Sequence, residues 1–429
     1  MRTITKLTGA CLAGSLIAGL GSAAPVQAES PEAFYKSARM EMYIGYSAGG
    51  GYDRYGRTVA RHMGKYLPGN PSFTPRNYTG AGGMRLANAL YNTFDQDGSV
   101  IGIIGRQVPL EDLTGNPKVK FKANKFHWLG SANQEYSVCA FWHKSPIKTT
   151  DDLFTKVPIV GGTGAGSGTD TQAMMLNNLI GTRLRLITGY PGGADINLAM
   201  EKGEVHGRCA WSWSSVTSTR GKWLKEKKVI FPLQIARKSH PDLIHVPLVG
   251  KFIKNEKDRK ALDVVLAGLV MGRPFAVGPG VPADRVKVLR KAFMQALKDP
   301  KLLAEAKKGR LPIDPVSGEE VQELLTGLYA LPKEIIDHAG NAISNKNNIN
   351  ITQAKLSVSN YSGKITKLQR GGRRVSWKGN GKKGKLRVSG SKTKITIGGK
   401  GAKRSKLKVG MSCDFRVLGA QSAMNIDCK

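Results

Sequence analysis

Four times in its first 204 residues the chain sets a cluster of glycines directly in front of a helix-like run. The stretches are "YSAGGGYDRYGRTVARHM" (46–63), "YTGAGGMRLANALY" (78–91), "VGGTGAGSGTDTQAMMLNNLIG" (160–181) and "ITGYPGGADINLAMEKGE" (187–204). Glycine orders at greater entropic cost than alanine, so its recurrence marks places where the backbone needs φ > 0 or another group comes close. In the first stretch Tyr55, Val59, Met63 and Tyr66 recur at three- and four-residue steps, which gives one apolar helical face. Asp53 stands where a first-turn acid belongs. A glycine-lined helix start presents unpaired N–H groups and a positive dipole end, and both suit an anion.

Up to about Gly340 strand-like runs alternate with helical ones, such as "DRVKVLRKAFMQALKDPKLLAEAKK" (284–308), which predicts an α/β architecture. In open α/β sheets ligands bind at the carboxyl ends of strands, where these glycine loops lie. The first two junctions are far in sequence from the last two. Two lobes, each turning two junctions toward a cleft, would make a water-shielded anion site.

The motifs exclude several chemistries. "GTGAGSG" fails the dinucleotide fingerprint, and no phosphate-binding G-x-x-x-x-G-K-[ST] occurs. Ser167 lacks the G-x-S-x-G setting of a hydrolase nucleophile. The seven histidines have neither H-E-x-x-H nor C-x-x-C spacing around them. No catalytic residues, metal ligands or cofactor are therefore assigned, and an exported enzyme using the same cleft is the least favoured reading.

The chain starts with Arg2 and Lys6, an apolar stretch from Leu7 to Leu20, and "PVQA". This is the pattern of an export signal over residues 1–28, cleaved after Ala28, and it places the mature protein in a periplasm. Cleavage leaves Cys139, Cys209, Cys413 and Cys428. Cys413 and Cys428 are close in sequence and are expected to pair. Cys139 and Cys209 are then either a second bridge or two buried thiols.

Charge divides the chain. Residues 345–429 carry 21 Lys+Arg against Asp414 and Asp427, a net +19 of the total +35, which leaves +16 for the first 344 residues. Short alternating runs separated by glycines fill this tail, and they read as five to seven strands of a small all-β domain, an OB-like barrel or a sandwich. So dense a positive charge outside the cytoplasm points to anionic envelope polymers or lipid headgroups as partners. Trp377 and Tyr361 are too few aromatics for stacking on single strands, so nucleic acid is not expected.

The residues of the first region also carry a family resemblance. "SAGGGYDRYGR" resembles the P-A-G-G-x-x-D-x-x-A-R signature of the Bug family, the solute-binding proteins of tripartite tricarboxylate transporters. The likeness continues through "NYTGAGGMRLAN", "DQDGSVIG", "SPIKTTDDL", "GTGAGSGTD", "GYPGGADINLAM" with "GEVHGR", and "FAVGPGVPADRVKVL", over about residues 35–340. It implies a two-lobed periplasmic type II solute-binding fold that closes on a small organic carboxylate and delivers it to integral-membrane transporter subunits. By matching motif, it implies first-lobe contacts from Ser47, Ala48, Gly49, Gly50, Gly51 and Asp53, with Ala81 and Gly82 nearby. Second-lobe contacts would come from Thr163, Gly164, Ala165, Gly166 and Ser167, with Tyr190 and Gly192. Ser47 and Thr79 stand where the family usually has proline. Trp211 and Trp213 in "CAWSWSS" either pack in the core or line the site.

The expected organisation is a signal peptide (1–28), a first lobe (29–128), a second lobe (129–245) and a return to the first lobe with C-terminal helices (246–340). A linker (341–352) then leads to the basic β domain (353–429). The leading reading is a transport receptor. The alternative is an exported polyanion-binding envelope protein that acts through its tail and has a degenerate cleft.

Overall fold

The computed structural model describes residues 29–345, 350–355, 358–369, 371–390, 393–419 and 422–429. The expected signal peptide lies outside the described residues. Among the described residues no helix is long and apolar enough to cross a membrane.

Two six-stranded mixed sheets form the α/β region. The first contains β1 (Met40–Ile44), β2 (Phe73–Asn77), β3 (Val100–Ile103), β4 (His127–Ser131), β10 (Pro274–Val277) and β11 (Val316–Ser317), in the order β11-β4-β10-β3-β1-β2. The second contains β5 (Ser137–Trp142), β6 (Ile159–Gly161), β7 (Arg185–Thr188), β8 (Gly207–Ser212), β9 (Val229–Ile235) and β12 (Ile351–Gln353), in the order β12-β7-β6-β8-β5-β9. Each sheet joins a parallel half to antiparallel strands at the other side. Strands such as β3, β8 and β10 are buried along their whole length, as expected of sheets covered on both faces by helices.

The chain passes from the first sheet to the second between Ser131 and Ser137, and returns between Ile235 and Pro274. A buried ion pair joins these crossings: Arg273 lies 3.1 Å from Glu135, with side chains 0% and 2% exposed. Glu135 also accepts from the Ser214 hydroxyl (2.5 Å), and the Glu135 N–H donates to Leu269 C=O (2.9 Å). Breaking such a pair by removing one partner costs about 3–5 kcal/mol, because the other charge stays buried.

Residues expected to be plain linker also add to the second sheet. Leu186 N–H donates to Asn350 C=O and Ala354 N–H to Thr188 C=O, which makes β12 an edge strand parallel to β7.

The tail forms a third, seven-stranded sheet from β13 (Val358–Gln369), β14 (Arg374–Gly379), β15 (Lys382–Arg387), β16 (Lys394–Ile397), β17 (Lys400–Gly401), β18 (Ser412–Leu418) and β19 (Ser422–Cys428). Two runs read separately, "AKLSVS" and "GKITKLQ", belong in part to the single strand β13. Pairings β13–β14, β14–β15, β13–β18 and β18–β19, with a parallel contact of Arg387 and Ser422 between β15 and β19, close five strands into a ring. That ring is an OB-like strand order. Its core holds Ile365, Val375, Trp377, Leu386, Phe415, Val417 and Ile426. Tyr361 packs on Trp377 with ring centroids 4.8 Å apart, so these aromatics are occupied in packing.

Cys413 and Cys428 face each other on β18 and β19 and are bonded. Cys139 and Cys209, on the neighbouring strands β5 and β8, are bonded too, which decides between the two alternatives. Mass mapping without reductant should therefore recover both linked peptide pairs. Loss of the Cys413–Cys428 bridge, with a sequence separation of 15, should destabilise the barrel by ~3 kcal/mol on the chain-entropy model. Free thiols in either pair of oxidised protein would contradict this arrangement.

Candidate functional site

Four helices begin at one cavity between the two sheets. They are Gly51–His62, Gly168–Met175, Gly193–Glu201 and Trp213–Lys225. Gly50, Gly51, Ser167, Gly168, Thr169, Gly193, Ser212 and Ser215 from these starts line its walls. Ser167 caps its own helix by accepting from Asp170 N–H. The other three N-caps, Gly50, Gly192 and Ser212, make no side-chain cap bond. At the Ser212 start Trp213 N–H donates to Tyr136 C=O (2.8 Å) and Ser214 N–H to Glu135 (3.3 Å), so spare first-turn donors are expected chiefly at the Gly50 and Gly192 starts. Four positive dipole ends thus converge on one small volume.

Two buried guanidinium groups face the same space. Arg106, 4% exposed, follows β3 and reaches into the second lobe, where it donates to Ser212 Oγ (2.7 Å), Ser137 Oγ (2.8 Å) and Ala210 C=O (3.2 Å). Arg208, 6% exposed, sits on β8 and donates to Gly193 C=O (3.1 Å), with its guanidinium 5.0 Å from the Trp211 ring centroid. Unlike Arg273, neither has a carboxylate partner among the described residues; the Nε of each is buried with no acceptor, a feature that Arg273 shares. Burial, then the charge of Arg106, push the Arg208 pKa down. The pair is electrostatically incomplete, and an anion is the group that would complete it.

The space open to water is about 60 Å³, room for roughly four to six water centres at ~10–15 Å³ each. Tyr46, Tyr52, Thr163, Asn197, Ala210, Trp211 and Thr219 complete the lining. Gly51 is required by close approach, because a Cβ there would overlap the Ser215 hydroxyl and crowd Arg273.

The residues expected from sequence are divided among four places. Gly50, Gly51, Thr163 and Ser167 line the cavity. Ala81, Gly164, Ala165, Gly166 and Tyr190 line a wider interlobe groove of about 940 Å³, together with Thr163 and Thr79. Asp170 orders this second-lobe loop by accepting from Gly164 N–H (3.1 Å) and Ser167 Oγ (2.9 Å), and burial raises its pKa.

Ser47, Gly82 and Gly192 instead join lobe to lobe. Ser47 N–H donates to Pro191 C=O (3.0 Å), and its hydroxyl donates to Asp195 (2.7 Å). Gly82 N–H donates to Thr163 C=O (3.0 Å). A Cβ at Gly192 would overlap the Ser47 hydroxyl. Proline at 47 could make neither Ser47 bond, so the departure noted in the sequence has a physical role here.

Asp53 is a positioning residue in this closed arrangement, and neither it nor Ala48 or Gly49 lines the cavity. Its carboxylate accepts from Gly49 N–H (2.9 Å), Arg57 (2.6 Å) and Asn77 (2.8 Å), so it is already satisfied and fixes the first loop. The two tryptophans separate. Trp211 lines the cavity under Arg208, and Trp213 packs against Phe231 while donating to Asp242 (2.9 Å).

Sequence reasoning missed Arg106 and Arg208. Both had a signal: each is the lone charge in an apolar run, "VIGIIGRQVPL" and "GRCAWSW". A charge in a buried strand must be paired or serve a ligand.

No family model and no curated protein matches the chain. Solved structures do. One is the periplasmic binding protein BugD, with TM-score 0.57 and 17% identity over 73% of this chain and 99% of that one. Another is MatC from Rhodopseudomonas palustris with bound malate, with TM-score 0.56 and 18% identity over 71% and 99%. A third is an R. palustris protein with adipate, with TM-score 0.55 and 14% identity over 71% and 98%. The two lobes have a periplasmic binding-protein fold. At these identities the likeness speaks for the fold alone, and it agrees with the resemblance carried by the glycine loops.

In a binding-protein fold, the Ser47 contacts should hold the lobes together. Ser47→Pro should shift the ligand-free chain toward an open form with a larger radius of gyration in X-ray scattering. The hydroxyl bond to Asp195 contributes about 1.5–3 kcal/mol as a bond to a charged group. An unchanged radius in the folded variant would remove the latch.

Proposed function

We propose that this chain is an exported solute-binding receptor that closes on a compact carboxylate and delivers it to a membrane transporter of the tripartite tricarboxylate class. The observation that carries this reading is the pair Arg106 and Arg208, buried without a carboxylate partner where four helices start. A carboxylate would accept from Nε–H groups and first-turn amides, and its charge would offset the two guanidinium charges. Arg106 comes from the first lobe and Arg208 from the second. A ligand held by both is therefore bound best when the lobes are closed.

The fold supports the reading, and so do the malate and adipate of two structures with that fold. The closed cavity favours short acids over long ones. Gly50, Gly51, Thr163 and Ser167 are proposed as ligand contacts beside the two arginines. Periplasmic location is part of this proposal, and the export pattern of the first 28 residues and the fold both support it. The sheet crossings support lobes close to 29–128, 129–245 and 246–340, and the barrel strands begin at Val358, after an edge strand (Ile351–Gln353) that belongs to the second sheet.

Arg208→Met gives a two-sided test. Replacing an uncompensated buried charge by an apolar side chain should leave the ligand-free protein as stable or more so, by about 1–4 kcal/mol. The same variant should lose the stabilisation that a bound acid provides, about 2.7 kcal/mol at a concentration 100 times its Kd. Thermal-shift measurements with C2–C6 acids on both proteins read both effects. A variant that is less stable yet keeps a normal ligand-induced shift would overturn the assignment.

A further inference from the structure

A groove of about 850 Å³ lies between the edge strand β2 of the first sheet and the barrel. Five guanidinium side chains line it, Arg57 and Arg76 from the lobe and Arg373, Arg374 and Arg387 from the barrel, and no carboxylate does among the described residues. The lobe arginines are held from behind: Arg57 by Asp53 (2.6 Å) and Arg76 by Glu41 (2.5 Å). Arg387 is largely desolvated, which lowers its pKa, and its Nε has no acceptor. The opposing charges that act on it, Asp195 and Asp53, belong to the lobes. The two acids of the barrel are engaged elsewhere, Asp414 with Ser362 and Asp427 with Thr396.

We propose that this groove binds a ligand carrying two or more phosphate groups. Guanidinium forks match phosphate oxygens bidentately, and five of them around one opening exceed what a single carboxylate engages. The site needs both walls, so it belongs neither to the barrel nor to the lobe alone. This sharpens the expectation that the basic tail acts through diffuse charge. The groove is also connected to the cleft. Asp53 holds Arg57 with one carboxylate oxygen and the Gly49 N–H with the other. The phosphates could come from a lipid headgroup or from a soluble polyphosphate, and the recognition chemistry is the same.

The test titrates the full chain with sodium tripolyphosphate by calorimetry, and with phosphatidic acid vesicles in a phosphatidylcholine background by flotation. Arg373→Gln with Arg387→Gln removes two groove charges. Lys382→Gln with Lys383→Gln removes the same charge from exposed positions of β15 outside the groove. The groove pair should weaken tripolyphosphate binding by about tenfold or more, and the lysine pair by less than about twofold. Should the glutamine pair fail to fold, Arg373→Lys with Arg387→Lys keeps the charge, removes the forks and should still weaken binding several-fold. Vesicles that bind and are displaced by tripolyphosphate identify a headgroup source. Binding of tripolyphosphate alone identifies a soluble one. Equal losses in the two glutamine pairs, or no binding of either probe to the unaltered chain at millimolar concentration, would overturn the proposal. Binding of short acids in the cleft, measured on the same samples, is a separate readout that stands or falls independently.

Discussion

Two positive charges withdrawn from water with no carboxylate partner among the described residues set the terms for the whole cleft. Arg106 and Arg208 are tolerable in the ligand-free protein because hydroxyls and carbonyls accept from part of each guanidinium. Those neutral acceptors leave the net charge in place. The glycine clusters make sense on that footing. They bring helix starts close enough to deliver amide donors, and they keep side chains out of the space an anion would fill. By contrast, the Arg273–Glu135 pair is electrically complete and ties together the crossings between the sheets. One buried arginine secures the framework, and the other two have no carboxylate beside them among the described residues.

The loops that close the cleft also link its parts. Ser47 bonds to the second lobe at Pro191 and Asp195, and Gly82 bonds to it at Thr163. These contacts exist only with the lobes together, so binding energy and loop-to-loop bonding act in the same direction. The barrel stands against this assembly. Lys202 of the second lobe donates to Ser359 on β13 (3.0 Å), and the arginine groove opens against β2 of the first. An element that touches both lobes is placed to feel their relative movement.

Much of the fold was legible in the sequence because it is written locally. Alternating strand and helix runs gave the α/β lobes, glycine clusters gave the loop-to-helix junctions, and period-two runs with a composition break gave the all-β tail. The site was less legible, for a physical reason. The glycine motifs locate where backbones approach, but they do not say whether the approaching group is a ligand or the other lobe. Ser47, Gly82 and Gly192 proved to contact the opposite lobe, and Asp53 proved to satisfy its own loop. Arg106 and Arg208 converge only through tertiary structure, and 102 positions separate them in the chain. The strand Ile351–Gln353, which straddles the expected boundary between linker (341–352) and β domain (353–429), escaped notice because an edge strand pairs through its backbone and needs no side-chain pattern.

The central claim is that the cleft selects negative charge, and a matched pair of ligands tests it without altering the protein. Calorimetric titration of the full chain with succinate and with succinamide, at the same pH and ionic strength, compares two molecules of nearly equal size and shape. If the two buried guanidinium groups define the site, succinate binds and succinamide is weaker by at least about a hundredfold, since each lost charge-assisted contact removes roughly 1.5–3 kcal/mol. Equal affinity for the acid and the diamide would show that shape and neutral hydrogen bonds suffice. The unpaired arginines would then have no part in recognition.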